Sequence, residues 1–515
     1  MDRIRLKKLE EPDIELIEGR ALYCYEKSEA YLSELKAEFP VLIEKLAGIV
    51  DDNKRNQGTF CWEGLCIPVE DSSWLFRIDW TKSVLLITSD YHREAYEKLS
   101  ETLPLSGGGG TIYYYADRET EIEMDYREKY KDTELENIIL FRSGPCASSY
   151  VKGMDFADNA RALFEYMLSK NLNERYELVW LVKDPEEFIR FREMKNVTFL
   201  SFDWSVSEIP EEQTRYYRAL CLARYIFFTD AYGFARNSRP DQIRVQLWHG
   251  CGFKTRVNFV RCEKRYEFTT VISDLYANIH QDIYGLRKDQ TLVTGYAKED
   301  WLFHPAAAAL EKLNIPAAGS CIFWLPTFRT AKSSLMQLNE YALKGETGLP
   351  LVVTYEKMEE LEQLLEELDT VLLIKLHPFQ AREQVGQIHM EHIWLLDNDL
   401  LADMDIQINE LLGHADGLIS DYSSAAVDYM LLDRPIGFTL DDVEEYKKSR
   451  GFVFDNIREW LPGAELFSFE QLCTFIKDTA TNQDPHREKR QRLVDIMHKY
   501  GDDQNCRRIV EALHI

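Results

Sequence analysis

The sequence predicts an α/β protein with two successive parallel-sheet domains behind an N-terminal α/β extension. Three observations predict this. From about Asn137, short apolar runs alternate with helical patterns, as expected of strands covered on both faces by helices. A second series of the same kind begins at Cys321. At 515 residues the chain is too long for a single compact core. The boundaries expected are 1–135, 136–305 and 306–515.

In the extension, Val84–Thr88 reads as a short buried strand, with Ser89-Asp90 capping a helix to about Leu99. A glycine loop that cradles phosphate runs strand, loop, helix. Here Ser106–Thr111 (SGGGGT) follows a helix and precedes a strand at Ile112–Tyr115, so it reads as a connection. The first regular series has strands at Ile138–Ser143, Tyr176–Asp184 and Ala223–Asp230, and a helix at Asp158–Leu168. Further strands end at Gly250, span Thr270–Asp274 and end at Gly295. Asp300–Ser320 is the connector. The second series has strands at Cys321–Thr327, Thr370–Pro378, His392–Asp397 and Gly417–Asp421, and a charged helix at about His486–Ile515 is expected to pack across the domains. No short repeat indicates a solenoid.

Composition narrows the function. Hydrophobic residues make up 45% and charged residues 29%, an ordinary globular balance. A formal net charge of −27 argues against nucleic acid and against a broad hold on anionic lipid. The N-terminal stretch lacks the apolar core of a signal peptide, and no apolar run reaches the roughly 18–20 residues that span a bilayer. The ten cysteines are scattered, with only Cys61 and Cys66 close together, which favours neither a zinc site nor a secreted disulfide framework. A reduced, cytoplasmic protein is expected. Against the acidic background, His249–Arg265 (HGCGFKTRVNFVRCEKR) is locally basic and suits an anionic small molecule, although a solvated loop would look the same.

Four clusters sit where strands end, which is where ligands bind in open α/β sheets. The first is Trp248-His249-Gly250, whose glycine permits close backbone approach, with Lys254 and Arg256 beyond it. The second is Pro326-Thr327-Phe328-Arg329, whose guanidinium fork suits phosphate. In the third, Lys375-Leu376-His377-Pro378, strand alternation puts Lys375 and His377 on one side. The fourth is Asp421-Tyr422-Ser423-Ser424 with Asp428, hydroxyls opening a helix, which could equally be a simple cap. Asp403-Met404-Asp405 matches a metal-binding Asp-x-Asp, but it lies before a predicted helix at Ile406–His414 that Asp405 is placed to cap.

In this order the four clusters resemble the CDP-glycerol glycerophosphotransferases of teichoic-acid synthesis. Leu431–Asp455 (LLDRPIGFTLDDVEEYKKSRGFVFD) is similar as well, and the resemblance covers about Asn137 to Asp455. It departs at Gly295–Asp300 (GYAKED), where the family usually shows Gly-Tyr-Pro-Arg-x-Asp. The resemblance implies two facing Rossmann-like domains of the GT-B type. It also implies attack of an acceptor hydroxyl on the glycerol-side phosphorus of CDP-glycerol, with release of CMP. His249 and His377 are then the expected catalytic residues, in roles that could be exchanged. Arg329, Thr327, Lys375, Asp421, Ser423, Ser424 and Asp428 are expected to bind donor, and Gly250, Lys254 and Arg256 to form the acceptor or anion loop. With these donors in place neither metal nor cofactor is required. A CDP-ribitol donor and a GT-B sugar-nucleotide glycosyltransferase are the alternatives. The implied acceptor is lipid-linked or a polyol-phosphate polymer, reached by weak peripheral contact at the inner face of the cell membrane.

Overall fold

Parallel strands with helices on both faces read as near-continuous apolar runs, and the central strands of the computed structural model, such as those holding Ile138–Phe141 and Val371–Ile374, follow that rule. The structure describes residues 5–515 apart from 18, 53–55, 89–91, 104–110, 116–117, 145–150, 230–233, 236, 256–261, 263–264, 327–344, 376–389 and 450. Internal contacts divide the chain into two units, Met1–Thr133 with Asp203–Cys221, and Glu134–Phe202 with Leu222–Ile515.

The first unit is more regular than the sequence indicates. Its strands are β1 (Arg5–Lys8), β2 (Ala21–Tyr25), β3 (Leu46–Val50), β4 (Gly58–Trp62), β5 (Leu65–Glu70), β6 (Ser83–Ile87) and β7 (Thr111–Tyr114). They lie in the order β1-β7-β6-β2-β3-β5-β4, parallel throughout except for the β4–β5 hairpin. Neighbouring residues of one strand feed different cores: Val84 and Leu86 join one cluster, Leu85 and Ile87 the other. That is the signature of a sheet covered on both faces. The proposed cap Ser89-Asp90 and the glycine run fall outside the described residues; the helix there spans His92–Thr102.

The second unit holds two Rossmann-like sheets of the GT-B type. Its first sheet comprises β8 (Glu136–Arg142), β9 (Glu177–Val182), β10 (Val197–Ser201), β11 (Ala223–Phe228), β12 (Ile243–Gln246), β13 (Phe268–Val271) and β14 (Thr291–Val293). Its second comprises β15 (Ser320–Trp324), β16 (Thr370–Lys375), β17 (Ile393–Leu396), β18 (Gly417–Ser420), β19 (Ile436–Thr439) and β20 (Ala464–Leu466). The orders β10-β9-β8-β11-β12-β13-β14 and β17-β16-β15-β18-β19-β20 both start from a central strand, run outward, then reverse. Ligand crevices form at that reversal, beyond the carboxyl ends of the strands. In the second sheet it falls between β15 and β18.

The predicted single helix at the C-terminus is two helices, Arg487–Met497 and Asn505–Ala512, with glycine-containing irregular backbone between them. They do cross between the domains. Arg490, fully buried, pairs with Asp433 at 3.0 Å and with Asp484, and His498 Nε2 lies 2.9 Å from the Val427 carbonyl, all in the second domain. Lys499 N–H then donates to the Ile272 carbonyl (2.8 Å) in the first. Asp300 accepts from the N–H groups of Asn505 and Cys506 at 2.9 Å each, holding the start of the last helix. Cys506, Ile509, Val510 and Leu513 complete the core built on Phe141, Phe164 and Trp180. Ile509→Ala is therefore expected to cost about 2–5 kcal/mol, read as a lowered thermal midpoint, and an unchanged midpoint would show that this wall is dispensable.

Candidate active site

The site starts where β12 ends. Trp248 N–H donates to the Gln246 side-chain oxygen (2.9 Å), and Trp248 adopts a left-handed φ of 58°. A large side chain rarely sits there, and the surroundings hold it in place. The Asn159 amide donates to the carbonyls of Leu247 (3.2 Å) and Trp248 (3.0 Å). The indole packs against His280 and Tyr284 at centroid distances of 5.6 and 4.7 Å. With Trp248 turned inward, His249 stands exposed at the crest of the turn, stacked on the indole at 4.8 Å. Beneath it is a buried layer in which Cys251 Sγ lies 2.9 Å from the Tyr296 hydroxyl. Burial, and the proximity of His249, lower the pKa of His280 to about 3, so it stays neutral there.

This turn rests on the second domain. Gly250 has a φ of 143°, and a Cβ built on it would lie 2.4 Å from Ser424 Oγ. Only glycine allows that approach. The chain beyond is stitched on by backbone bonds: Val453 N–H donates to the Phe253 carbonyl (2.8 Å), Thr255 N–H to the Gly451 carbonyl (3.2 Å), and Lys254 bridges Phe452. The first and fourth clusters, 174 residues apart from His249 to Ser423, are thus brought together. Arg256 lies outside the described residues.

At the fourth cluster, β18 delivers a buried Asp421, whose carboxylate accepts from Tyr422 N–H at 2.6 Å. The Tyr422 hydroxyl donates to Asp442 (3.0 Å) and its ring packs on Tyr446 and Phe452. Ser423 and Ser424 are half-buried; Ser423 Oγ accepts from Ala425 N–H (3.3 Å), whereas Ser424 makes no side-chain cap bond. The helix they open spans only Ala425–Tyr429. So short a helix has little macrodipole, and what this cluster presents is hydroxyls more than a helix field.

Asp428, grouped with the donor-binding residues by sequence, points inward. It is 1% exposed, and its Oδ2 lies 3.5 Å from Lys298 Nζ. Lys298 is the residue that sequence reasoning missed. Its ammonium donates to the His249 carbonyl (2.7 Å), sits 3.2 Å from Asp158 Oδ1, and its own N–H donates to Asn159 Oδ1 (3.0 Å). Burial opposes the charge, but the Asp158 and Asp428 carboxylates outweigh it and hold the ammonium above the ordinary lysine value. The signal was available in GYAKED, where lysine keeps a cation at the family's arginine position.

Lys375 closes β16 and lies 2.5 Å from Asn398 Oδ1. Burial lowers its pKa to about 8, against the pull of Asp397. Lys375 and Ser423 therefore flank the end of β15 at the reversal of strand order. Thr327 and Arg329, which follow β15, and His377 lie outside the described residues. Asp403 and Asp405 are engaged separately. Asp403 pairs with Lys152, whereas Asp405 pairs with Arg161 (2.8 Å) and Arg190. Asp405 is not the helix cap expected from sequence. It adopts a left-handed φ of 54°, and Gln407 with Glu410 opens the helix Ile408–Leu412 instead. Among the described residues no three His, Cys, Asp or Glu side chains group as a metal would require.

The profile of the family described as CDP-Glycerol:Poly(glycerophosphate) glycerophosphotransferase matches residues 136–515. Curated relatives include the teichoic acid ribitol-phosphate polymerase TarK of Staphylococcus aureus, 26% identical over 56% of this chain and 56% of that one. The teichoic acid glycerol-phosphate primase of Bacillus subtilis is 27% identical over 54% of this chain and 70% of its own. The chain spans about half the length of the polymerases it matches, 51% and 49% in two further cases. Among solved structures, the wall teichoic acid polymerase TagF superposes with a TM-score of 0.58 at 21% identity, over 77% of this chain and 93% of that one. That likeness is one of fold.

Removing one partner of a buried charge set leaves the others uncompensated, at a cost of about 3–5 kcal/mol. Lys298→Ala is expected to lower the thermal midpoint sharply, whereas Lys298→Arg keeps most of the stability. Equal midpoints for the alanine variant and the parent protein would show that the ion cluster does not hold the domains.

Proposed function

The chain belongs to the CDP-glycerol:poly(glycerophosphate) glycerophosphotransferase family, and from that premise we propose that it transfers a polyol phosphate from a CDP-activated donor to an acceptor hydroxyl, releasing CMP. The observation that carries this reading is the seating of the Trp248-His249-Gly250 turn on Ser424. It sets an exposed imidazole from one sheet beside a hydroxyl-lined crevice of the other.

In this reading the acceptor hydroxyl gives its proton to His249 as its oxygen bonds to the glycerol-side phosphorus. The bond from that phosphorus to the CMP phosphate breaks in line, and CMP departs. Imidazole is the side chain that most readily takes up and returns a proton near neutrality, which suits it to the base. Such transfers depend on positioning and on positive charge around the phosphoryl oxygens. Lys375 supports this as a cation at the strand-order reversal, and Ser423 and Ser424 as hydroxyl donors. His377 and Arg329 are assigned to the departing CMP on sequence grounds.

Glycerol is the donor polyol we favour, on the pattern of the four clusters. Ribitol is the second reading, because a relative with a ribitol-phosphate name matches about as well as one with a glycerol-phosphate name. The acceptor we infer is lipid-linked or a polyol-phosphate polymer. No described helix is long and apolar enough to cross a membrane, so a lipid-linked acceptor would be met by peripheral contact, through basic residues such as Lys254 and Arg256.

The test is CMP release by the purified chain from CDP-glycerol and CDP-ribitol with a polyol-phosphate acceptor. His249→Ala is expected to reduce turnover by about 10²–10⁴-fold with the thermal midpoint retained. Parent-like release would remove His249 from the chemistry, and no CMP from either donor would sink the donor reading.

Lys375 gives a second expectation. Its pKa is lowered to about 8 in the free protein, and a pyrophosphate beside it would favour the charged amine. The donor KM should then be flat below pH 8 and rise above it, by at most about tenfold per pH unit. Lys375→Met should raise KM and abolish that slope; a slope unchanged in the variant would place the titrating group elsewhere.

A further inference from the structure

Cysteine is among the residue types most often buried. Cys24, Cys221, Cys251, Cys262, Cys321 and Cys506 follow that habit, whereas Cys61 and Cys66 are exposed. Both belong to the β4–β5 hairpin at the edge of the first unit's sheet. Glu63 (φ 46°) and Gly64 (φ 85°) form its turn, with the two positive φ values that a tight two-residue turn requires. The register sets Trp62 opposite Leu65 and Cys61 directly opposite Cys66.

The hairpin has two unlike faces. Phe60, Trp62, Ile67 and Val69 are buried, while the cysteines share the other face with exposed neighbours. Opposed residues one step back from a two-residue turn form a non-hydrogen-bonded pair, where side chains come closest. The two sulfurs lie 2.9 Å apart. Backbone separations in such pairs fall within the span that a disulfide accepts, about 4.4–6.8 Å between Cα atoms.

We propose that Cys61 and Cys66 form a redox-active dithiol that exchanges with low-molecular-weight disulfides. One cysteine thiolate attacks a sulfur of the small disulfide; a protein–small-molecule S–S bond forms and the small thiolate leaves, taking up a proton. The second cysteine thiolate then attacks the first cysteine's sulfur and expels the other small thiol. Two protein S–H bonds and one small disulfide become one protein S–S bond and two small thiols, and two electrons pass to the small molecule. The strands are already paired, so the ring closes without backbone movement. An edge hairpin with one packed and one exposed face gains a covalent fastening on its exposed face.

The full chain is equilibrated in glutathione buffers of increasing oxidised-to-reduced ratio, acid-quenched, alkylated with N-ethylmaleimide and mapped by mass. Cys61 and Cys66 should lose both alkylation sites together, giving a peptide lighter by two hydrogens that dithiothreitol restores, while the buried cysteines stay reduced. In Cys66→Ser, a change on the exposed face, Cys61 should instead carry glutathione. Two alkylatable thiols at the most oxidising ratio, or separate glutathione adducts on each cysteine of the parent protein, would overturn the proposal.

Discussion

The catalytic half of the molecule depends on one buried ammonium. Lys298 Nζ touches the carbonyl that precedes Gly250, a carboxylate at the start of the first domain's helix Asp158–Ser169, and a carboxylate within the second domain's helix Ala425–Tyr429. A charge taken out of water is tolerated only when its partners are fixed around it. The three partners are therefore obliged to keep their places relative to one another. Two of them sit within four residues of an expected site residue, His249 or Ser424. Geometry at the crevice is set from below, by the buried charges on which the turn rests.

The same short segment does a second job. GYAKED follows β14, and while Lys298 faces the crevice, Asp300 and the Tyr296 carbonyl face the last helix. Gly295 lies against Asn505 so closely that a Cβ would meet its side-chain oxygen at 2.2 Å. The GYAKED departure from the usual family pattern thus falls on a structural hub. Exchanging arginine for lysine keeps the charge, and a short amine reaches three oxygens that a planar guanidinium would meet with a different geometry.

How much of this could be read beforehand follows physical lines. Strands buried on both faces announce themselves, so β8, β9, β11, β15 and β16 stand out in IILF, LVWLV, YIFF, CIFW and VLLI. β10, β19 and β20 are short and mixed, and they become strands only beside neighbours already in place. Two strands of the first unit, β6 and β7, were legible at Val84–Thr88 and Ile112–Tyr115, but the rest of its sheet was hidden for the same reason. Its β2 and β3 read ALYCY and LAGIV, too brief to separate from helix on pattern alone. The strand ends that carry the candidate residues Trp248, Lys375 and Asp421 were legible because a strand's end is a local property. The Lys298 cluster was not, since its partners come from three distant segments. Asp405 failed as a cap because two guanidinium groups from the first domain outcompete a local backbone bond.

The return of the last helix to the first domain has a consequence for biosynthesis. Core residues of the second domain run from Ile322 to Ile476, whereas those of the first begin at Ile139 and are not complete until Leu513. A ribosome therefore delivers every core residue of the later domain before it delivers the closing wall of the earlier one. Order of synthesis and order of completion are reversed. While the second sheet is being translated, the first presents an open apolar flank beside Phe141 and Trp180, which is the interval when a holding chaperone has something to cover.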